Sequence, residues 1–190
     1  MRLRLAVAGL LALAVLAVVV AVPFALPDRA PTDEGAAPAN GIEGLVVFED
    51  LPRNHVRGEV DYDHHPPTGG PHADAWLACG VYDRPVRLEN VVHALEHGTV
   101  WASHAPDLAP ADVARLAAVL PPESIVSPDP DLPGPLVLTV WEHQVTLAGL
   151  DDPRLRAFLE AFGDGHTAPE PFASCRGGVR RYGAPPPVAV

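Results

Sequence analysis

The chain has 190 residues, with 24 acidic and 13 basic side chains and a formal net charge of −11; every base is Arg. That balance excludes a nucleic-acid footprint, which requires clustered cations against phosphate, and charge-driven docking on anionic lipid. The length suits one domain, and the 23 Pro residues, about 12% against a usual ~5%, predict many rigid loops.

Leu5 to Leu26 carries no charge. As a helix rising 1.5 Å per residue, such a run reaches about 33 Å, enough for a ~30 Å hydrocarbon core. Residues 1–26 therefore read as a single membrane anchor, with Arg2 and Arg4 on the cytoplasmic side. A cleaved secretory signal is the alternative, although its apolar core would span only ~7–15 residues. Either way the remainder is exported; with the anchor retained, the expected location is the cell membrane, N-terminus inside and C-terminal domain outside. Residues 27–42, rich in Pro, Ala and acid, read as a tether, 43–182 as the exported domain, and 183–190 as a disordered tail.

Within the domain, Gly44 to Phe48 is a short strand candidate, and His55 to Tyr62 alternates weakly as another. Pro66-Pro67-Thr-Gly-Gly70-Pro-His72 fits neither a helix nor a central strand and reads as a rigid loop. Glu89 to His97 predicts a short helix, with Asn90 as N-cap and Gly98 just past its end. Thr99 to Ser103 follows as a strand. Asp112 to Leu120 sets Val113, Leu116, Ala117 and Leu120 on one helical face. Leu136 to Trp141 is β-branched, aromatic and bounded by turns. Asp152-Pro153 opens a helix whose stripe is Leu155, Phe158, Leu159 and Phe162, and Gly163 ends it. Strands and helices without regular alternation predict an α+β domain, with a mixed or antiparallel sheet and about three helices behind the N-terminal span.

Cys79 and Cys175 form an even pair in an exported chain, which reads as a disulfide; free thiols or thiolate ligands are the alternatives. Seven of the nine histidines fall between positions 55 and 104. Neutral imidazole is the commonest protein ligand for zinc and copper, so this crowd suggests a metal, although any one His is more often a satisfied core or surface group. The lone Met (Met1) argues against dedicated Cu(I) handling. His93 and His97, four apart, share a helical face opposite the stripe of Leu88, Val91, Val92 and Leu95. Some other element must cover them, and the rigid loop ending at His72 is the candidate. His93-Ala-Leu-Glu96-His97 also matches H-x-x-E-H, the inverted zinc-peptidase motif. Such an enzyme needs a further ligand, for which Glu123, Glu142, Glu160 and Glu170 are candidates. No nucleophile elbow, phosphate loop or dinucleotide fingerprint occurs.

The motifs PPTGGPH (66–72), Trp76, CGVY (79–82), HALEHG (93–98) and APEP (168–171) together resemble an uncharacterised family common in actinobacteria, domain of unknown function 3105. The resemblance covers roughly residues 43–180. It implies an N-terminal hydrophobic segment and an exported domain, and no activity. Positions matching the family pattern are His55, Pro66, Pro67, Gly70, His72, His93, Glu96, His97 and Gly98. His64, His65, His104 and His143 depart from it, with Tyr usual at 104 and Trp-Gly expected where Trp141-Glu142 stands.

The leading expectation is extracytoplasmic binding of copper or zinc by His72, His93 and His97, with His55 or Glu96 as a fourth group. One rival is a structural or interaction domain in which these residues form a buried polar network. The other is a zinc hydrolase built on H-x-x-E-H. No feature specifies a protein partner, and the one expected membrane contact is the N-terminal span.

Overall fold

The computed structural model describes residues 41–171 and 173–182. The expected anchor, most of the tether and the tail lie outside them. Among the described residues no helix is long and apolar enough to cross a membrane.

Six strands form one mixed sheet: β1 (Leu45–Val47), β2 (Gly80–Val81), β3 (Val100–His104), β4 (Ser124–Pro128), β5 (Leu136–Val140) and β6 (His143–Leu147), in the spatial order β1-β6-β5-β3-β4-β2. The β2, β4 and β3 pairings are parallel, and those from β3 through β5 and β6 to β1 are antiparallel. Three helices complete the α+β fold: α1 (Leu88–Glu96), α2 (Pro110–Val119) and α3 (Pro153–Phe162).

The central strands β3, β4 and β5 are buried throughout, because both sheet faces are covered. Successive side chains alternate between faces. Val100, Ala102 and Val126 join Leu116 of α2 and Leu155, Phe158 and Phe162 of α3 in one core. Trp101 and Ile125 join Val91, Val92 and Leu95 of α1 in the other, with Trp141. Each Val, Leu, Ile or Phe side chain among them, fully removed from water, contributes roughly 1.5–3 kcal/mol.

Several sequence expectations change in the folded chain. Residues 55–62 form no strand; their ladder is a single parallel bridge, His55 to His72. Asn90 sits inside α1 and donates from Nδ2 to the Ala75 carbonyl instead of capping. The residue before α1 is Arg87, which caps with no side chain. α2 starts earlier than expected, with Pro110 in its first turn. β2, β4 and β6 had no strong sequence signal: β2 is two residues long, β4 ends in Pro, and β6 carries His and Gln. The expected ends of α3 hold. Asp152 caps it by accepting from Arg154 N–H at 3.0 Å, and Gly163 is its C-cap.

Candidate metal centre

α1 is buried on every side, although only one face of it meets the sheet. The opposite face carries His93 and Glu96 at i, i+3, one above the other. It is covered by the chain between residues 54 and 77. Val56 N–H donates to the His72 carbonyl (2.7 Å) and His72 N–H to the Asn54 carbonyl (3.1 Å), which sets His55 beside His72. The Pro66–His72 loop is pinned to the β5–β6 end of the sheet. Gln144 Nε2 donates to the Pro66 carbonyl (2.9 Å), and Glu142 N–H donates to the Thr68 carbonyl (2.9 Å). Pro66, Pro67 and Gly70 are buried in it. Gly69 approaches so closely that a Cβ would lie 2.6 Å from Leu51 Cδ1.

Ring centroids are 5.0 Å apart for His55 and His72, 4.9 Å for His55 and His93, and 4.9 Å for His72 and His93. One ligand atom from each of His55, His72, His93 and Glu96 lies within 4.8 Å of all the others. His55 is exposed and the other three are buried, so the group has one solvent-facing side.

The hydrogen bonds set the tautomers. His72 Nδ1 lies 2.8 Å from the Gly70 carbonyl and His93 Nδ1 lies 2.7 Å from the Ala73 carbonyl. A carbonyl only accepts, so both Nδ1 atoms carry the proton and both Nε2 atoms keep a lone pair. Burial pushes the pKa of both imidazoles below the usual 6.5, which favours neutral rings, the form that ligates metal. Burial also raises the Glu96 carboxyl, assisted by the charge of Glu170. His72 Nε2 stands 3.0 Å from Glu96 Oε2, yet it has no aligned hydrogen-bond partner. A lone pair facing a carboxylate oxygen is unfavourable unless a proton or a cation lies between them.

His97 takes a different place. Its ring is 4.8 Å from His93 and 5.1 Å from Trp76 by centroid, but it is outside the four-donor group. Its Nε2 points to Glu170 Oε2 at 3.6 Å, and its buried Nδ1 has no hydrogen-bond partner. The two helical imidazoles therefore do not share one set of donors, as H-x-x-E-H chemistry would need. Of the four downstream Glu candidates, Glu170 is the one beside His97; Glu142 lies in the β5–β6 turn, Glu160 pairs with Arg156 and Glu123 with Arg176.

Trp76 escaped the sequence reading as a site residue. It packs against His93 and His97, at 5.8 and 5.1 Å, and Gly178 gives it room, since a Cβ there would fall 2.6 Å from its ring. The carbonyls of Gly70 and Ala73 escaped as well, because every residue carries one and no side-chain pattern marks them. The remaining histidines lie elsewhere. His64 stacks on Phe48 and contacts Thr68, His65 pairs with Asp129 at 2.8 Å, and His143 packs on Phe162. Cys79 and Cys175 are disulfide-bonded, with Cα atoms 5.3 Å apart, so neither is a thiolate ligand.

No curated protein and no solved structure matches the chain. The profile of the family described as "Protein of unknown function (DUF3105)" matches residues 55–177, which include every donor of the centre and both cysteines, and the chain belongs to that family.

Proposed function

We propose that this domain binds a divalent zinc or copper ion through His55, His72, His93 and Glu96, on the outer side of a membrane to which residues 1–26 attach it. One observation carries the reading. Two buried imidazoles spend their Nδ1 protons on backbone carbonyls and leave lone-pair Nε2 atoms beside a buried carboxylate and a third imidazole. Backbone-anchored Nδ1–H groups are the usual outer support of metal-binding histidines, fixing ring and tautomer. Three nitrogens and one carboxylate oxygen suit zinc or Cu(II). Tetrahedral bonds of 2.0–2.1 Å would put donors about 3.3–3.4 Å apart. The group, at no more than 4.8 Å, reaches that by side-chain rotations of about an ångström, for which exposed His55 is free.

The same bonds hold the Pro66–His72 loop against α1, so a structural role for the histidines accompanies metal binding. A purely structural network would pair its buried polar atoms, whereas the His72 Nε2 lone pair has no aligned hydrogen-bond partner. The hydrolase reading loses its support because His97 stands outside the donor group. The net charge of −11 argues against nucleic acid as a partner.

Zinc or Cu(II) titration of the full chain by calorimetry tests the reading. His55→Ala should weaken binding at least about a hundredfold, beyond the ~10–100-fold typical of an outer-shell change. It should leave the fold intact, because His55 is exposed. His97→Ala should change affinity far less. Equal affinity of the His55→Ala and unaltered proteins, or no binding by either, would end the proposal. Protease shaving of intact cells tests the location and should remove residues 41–182; their protection would refute export.

A further inference from the structure

A second group of donors stands just after β4. His65, Asp129 and Asp131 each place one ligand atom within 4.8 Å of the other two, and none of them belongs to the first centre. The backbone fixes two of the three. Asp129 N–H donates to the His104 carbonyl (2.9 Å), and the carbonyl of Pro66, next to His65, accepts from Gln144 Nε2 (2.9 Å). Asp131 N–H donates to Asp129 Oδ1 (3.0 Å), and Asp129 Oδ2 stands 2.8 Å from His65 Nε2.

The charges in this group do not balance. Asp129 is 6% exposed, and a buried carboxylate is costly unless it is paired. Other carboxylates with equally buried side chains pair with arginine, Glu89 with Arg87 at 2.9 Å and Asp152 with Arg154 at 2.6 Å. Among the described residues neither Asp129 nor Asp131 has an Arg partner. Two carboxylates therefore share one imidazole, which is charged only when protonated. Even then one negative charge is left over. The same pairing of a buried carboxylate with a histidine recurs at Glu96 and His72, in the first centre.

We propose that His65, Asp129 and Asp131 form a second metal site, for a six-coordinate divalent transition ion of the manganese or iron(II) kind, with water at the remaining positions. At bonds of about 2.1 Å, ligands at right angles stand about 3.0 Å apart, close to the 2.8 Å between His65 Nε2 and Asp129 Oδ2. Asp131 is exposed, so its carboxylate is free to swing onto the ion, and partly exposed His65 opens the site to solvent. One imidazole and two carboxylates suit such an ion, whereas calcium takes oxygen ligands alone. As the ion enters, the proton on Nε2 leaves it, for Nδ1 in a neutral ring and for solvent in a charged one.

Mn²⁺ titration of the full-length His55→Ala variant, in which the first centre is broken, separates the two sites. Electron paramagnetic resonance reads the free ion, and NMR reads paramagnetic broadening of the His65 ring. One ion should bind with Kd of about 0.1 mM or tighter and broaden that ring. Ni²⁺ should displace it, as the order of transition-metal affinities requires, and an equal concentration of Ca²⁺ should not. His65→Gln should abolish the site. Asp131→Asn, an exposed change that leaves the fold intact, should weaken it by at least the ~tenfold of an outer-shell change. No uptake of Mn²⁺ below about 1 mM, binding that leaves the His65 ring sharp, displacement by Ca²⁺, or unchanged affinity in Asp131→Asn would overturn the proposal.

Discussion

At the scale of single residues, protonation is the sensitive variable. Burial holds His72 and His93 below 6.5, while an unfolded chain keeps them near that value. Below about pH 6.5 the unfolded chain takes up protons that the folded one refuses, so their contribution to stability is full above that pH and is lost below it. His65 has the opposite sign. Its hydrogen bond to Asp129 raises its pKa, so its contribution is present below 6.5 and lost as pH rises through the folded value. Glu96, raised by burial, is destabilising while charged and is relieved as pH falls. The two buried imidazoles should dominate between pH 7 and 5.5. The melting temperature of chelator-treated protein should fall over that range, and His65→Gln should fall more steeply. A profile flat or rising toward acid would contradict the assignment. Zinc at about a hundred times its Kd should add about 2.7 kcal/mol near pH 7, and that gain should shrink with acidification as protons compete for the same nitrogens.

A second residue-scale prediction concerns Glu142, whose φ of +65° puts it in the left-handed region. A non-Gly residue there costs roughly 1–2 kcal/mol, part of which Gly gives back as entropy lost on folding. Family resemblance suggested Gly at this position, and the backbone supplies the reason. Glu142→Gly should stabilise the domain by about 0.5 kcal/mol in urea denaturation, since the Glu142 contacts with the loop and with Phe48 run through its backbone. Destabilisation would mean that its side chain matters more than its φ.

At the scale of elements, the end of α1 decides the geometry of the centre. Gly98 takes φ +91°, and a Cβ there would lie 3.0 Å from Gly165 Cα. This close approach lays residues 165–170 across the helix end. Glu170 N–H then donates to the Glu96 carbonyl (3.0 Å), and its carboxylate meets His97. Gly98→Ala should therefore cost about 2 kcal/mol or more, combining left-handed strain with a backbone clash. Urea denaturation measures the loss; a cost below about 0.5 kcal/mol, that of an ordinary surface change, would show that the approach relaxes freely. The same helix shows why a predicted cap failed. Asn90 has good capping chemistry, but Leu88 and Glu89 are already helical, and the Asn90 side chain earns more by holding the Ala75 carbonyl.

At the scale of the whole molecule, the disulfide joins positions 96 residues apart and ties the C-terminal segment to the strip that carries Trp76. Leu77 and Val179 are bridged beside it, and Val179 N–H donates to the Trp76 carbonyl at 2.9 Å. Closing so long a loop is worth up to about 4–5 kcal/mol by chain entropy, and about 2–5 kcal/mol is the usual loss on removal. The Cys79→Ser, Cys175→Ser double variant should show that loss in urea denaturation. A midpoint within error of the parent would mean that strip and segment hold together without the bridge.

Composition, local spacing and the motifs determined the α+β class, the ends of α3, the loop character of residues 66–72 and the family. These follow from short-range rules: a Pro lacks an N–H, an Asp accepts from the next helical amides, and a 3.6-residue period makes one face apolar. Local rules also placed His93 and His97 on one side of a helix, with Glu96 on the flank between the two faces, and pointed to His72 as what covers them. Only the tertiary structure decided which of them converge. The 55–72 bridge brings His55 in, and Glu170 draws His97 away, through contacts between residues 17 and 73 positions apart that no local pattern encodes. The tautomers likewise depend on which carbonyls the fold sets against His72 and His93. The strands β2, β4 and β6 became strands because long-range pairing and burial on the sheet outweigh the weak propensity of Gly, Ser, Pro, His and Gln.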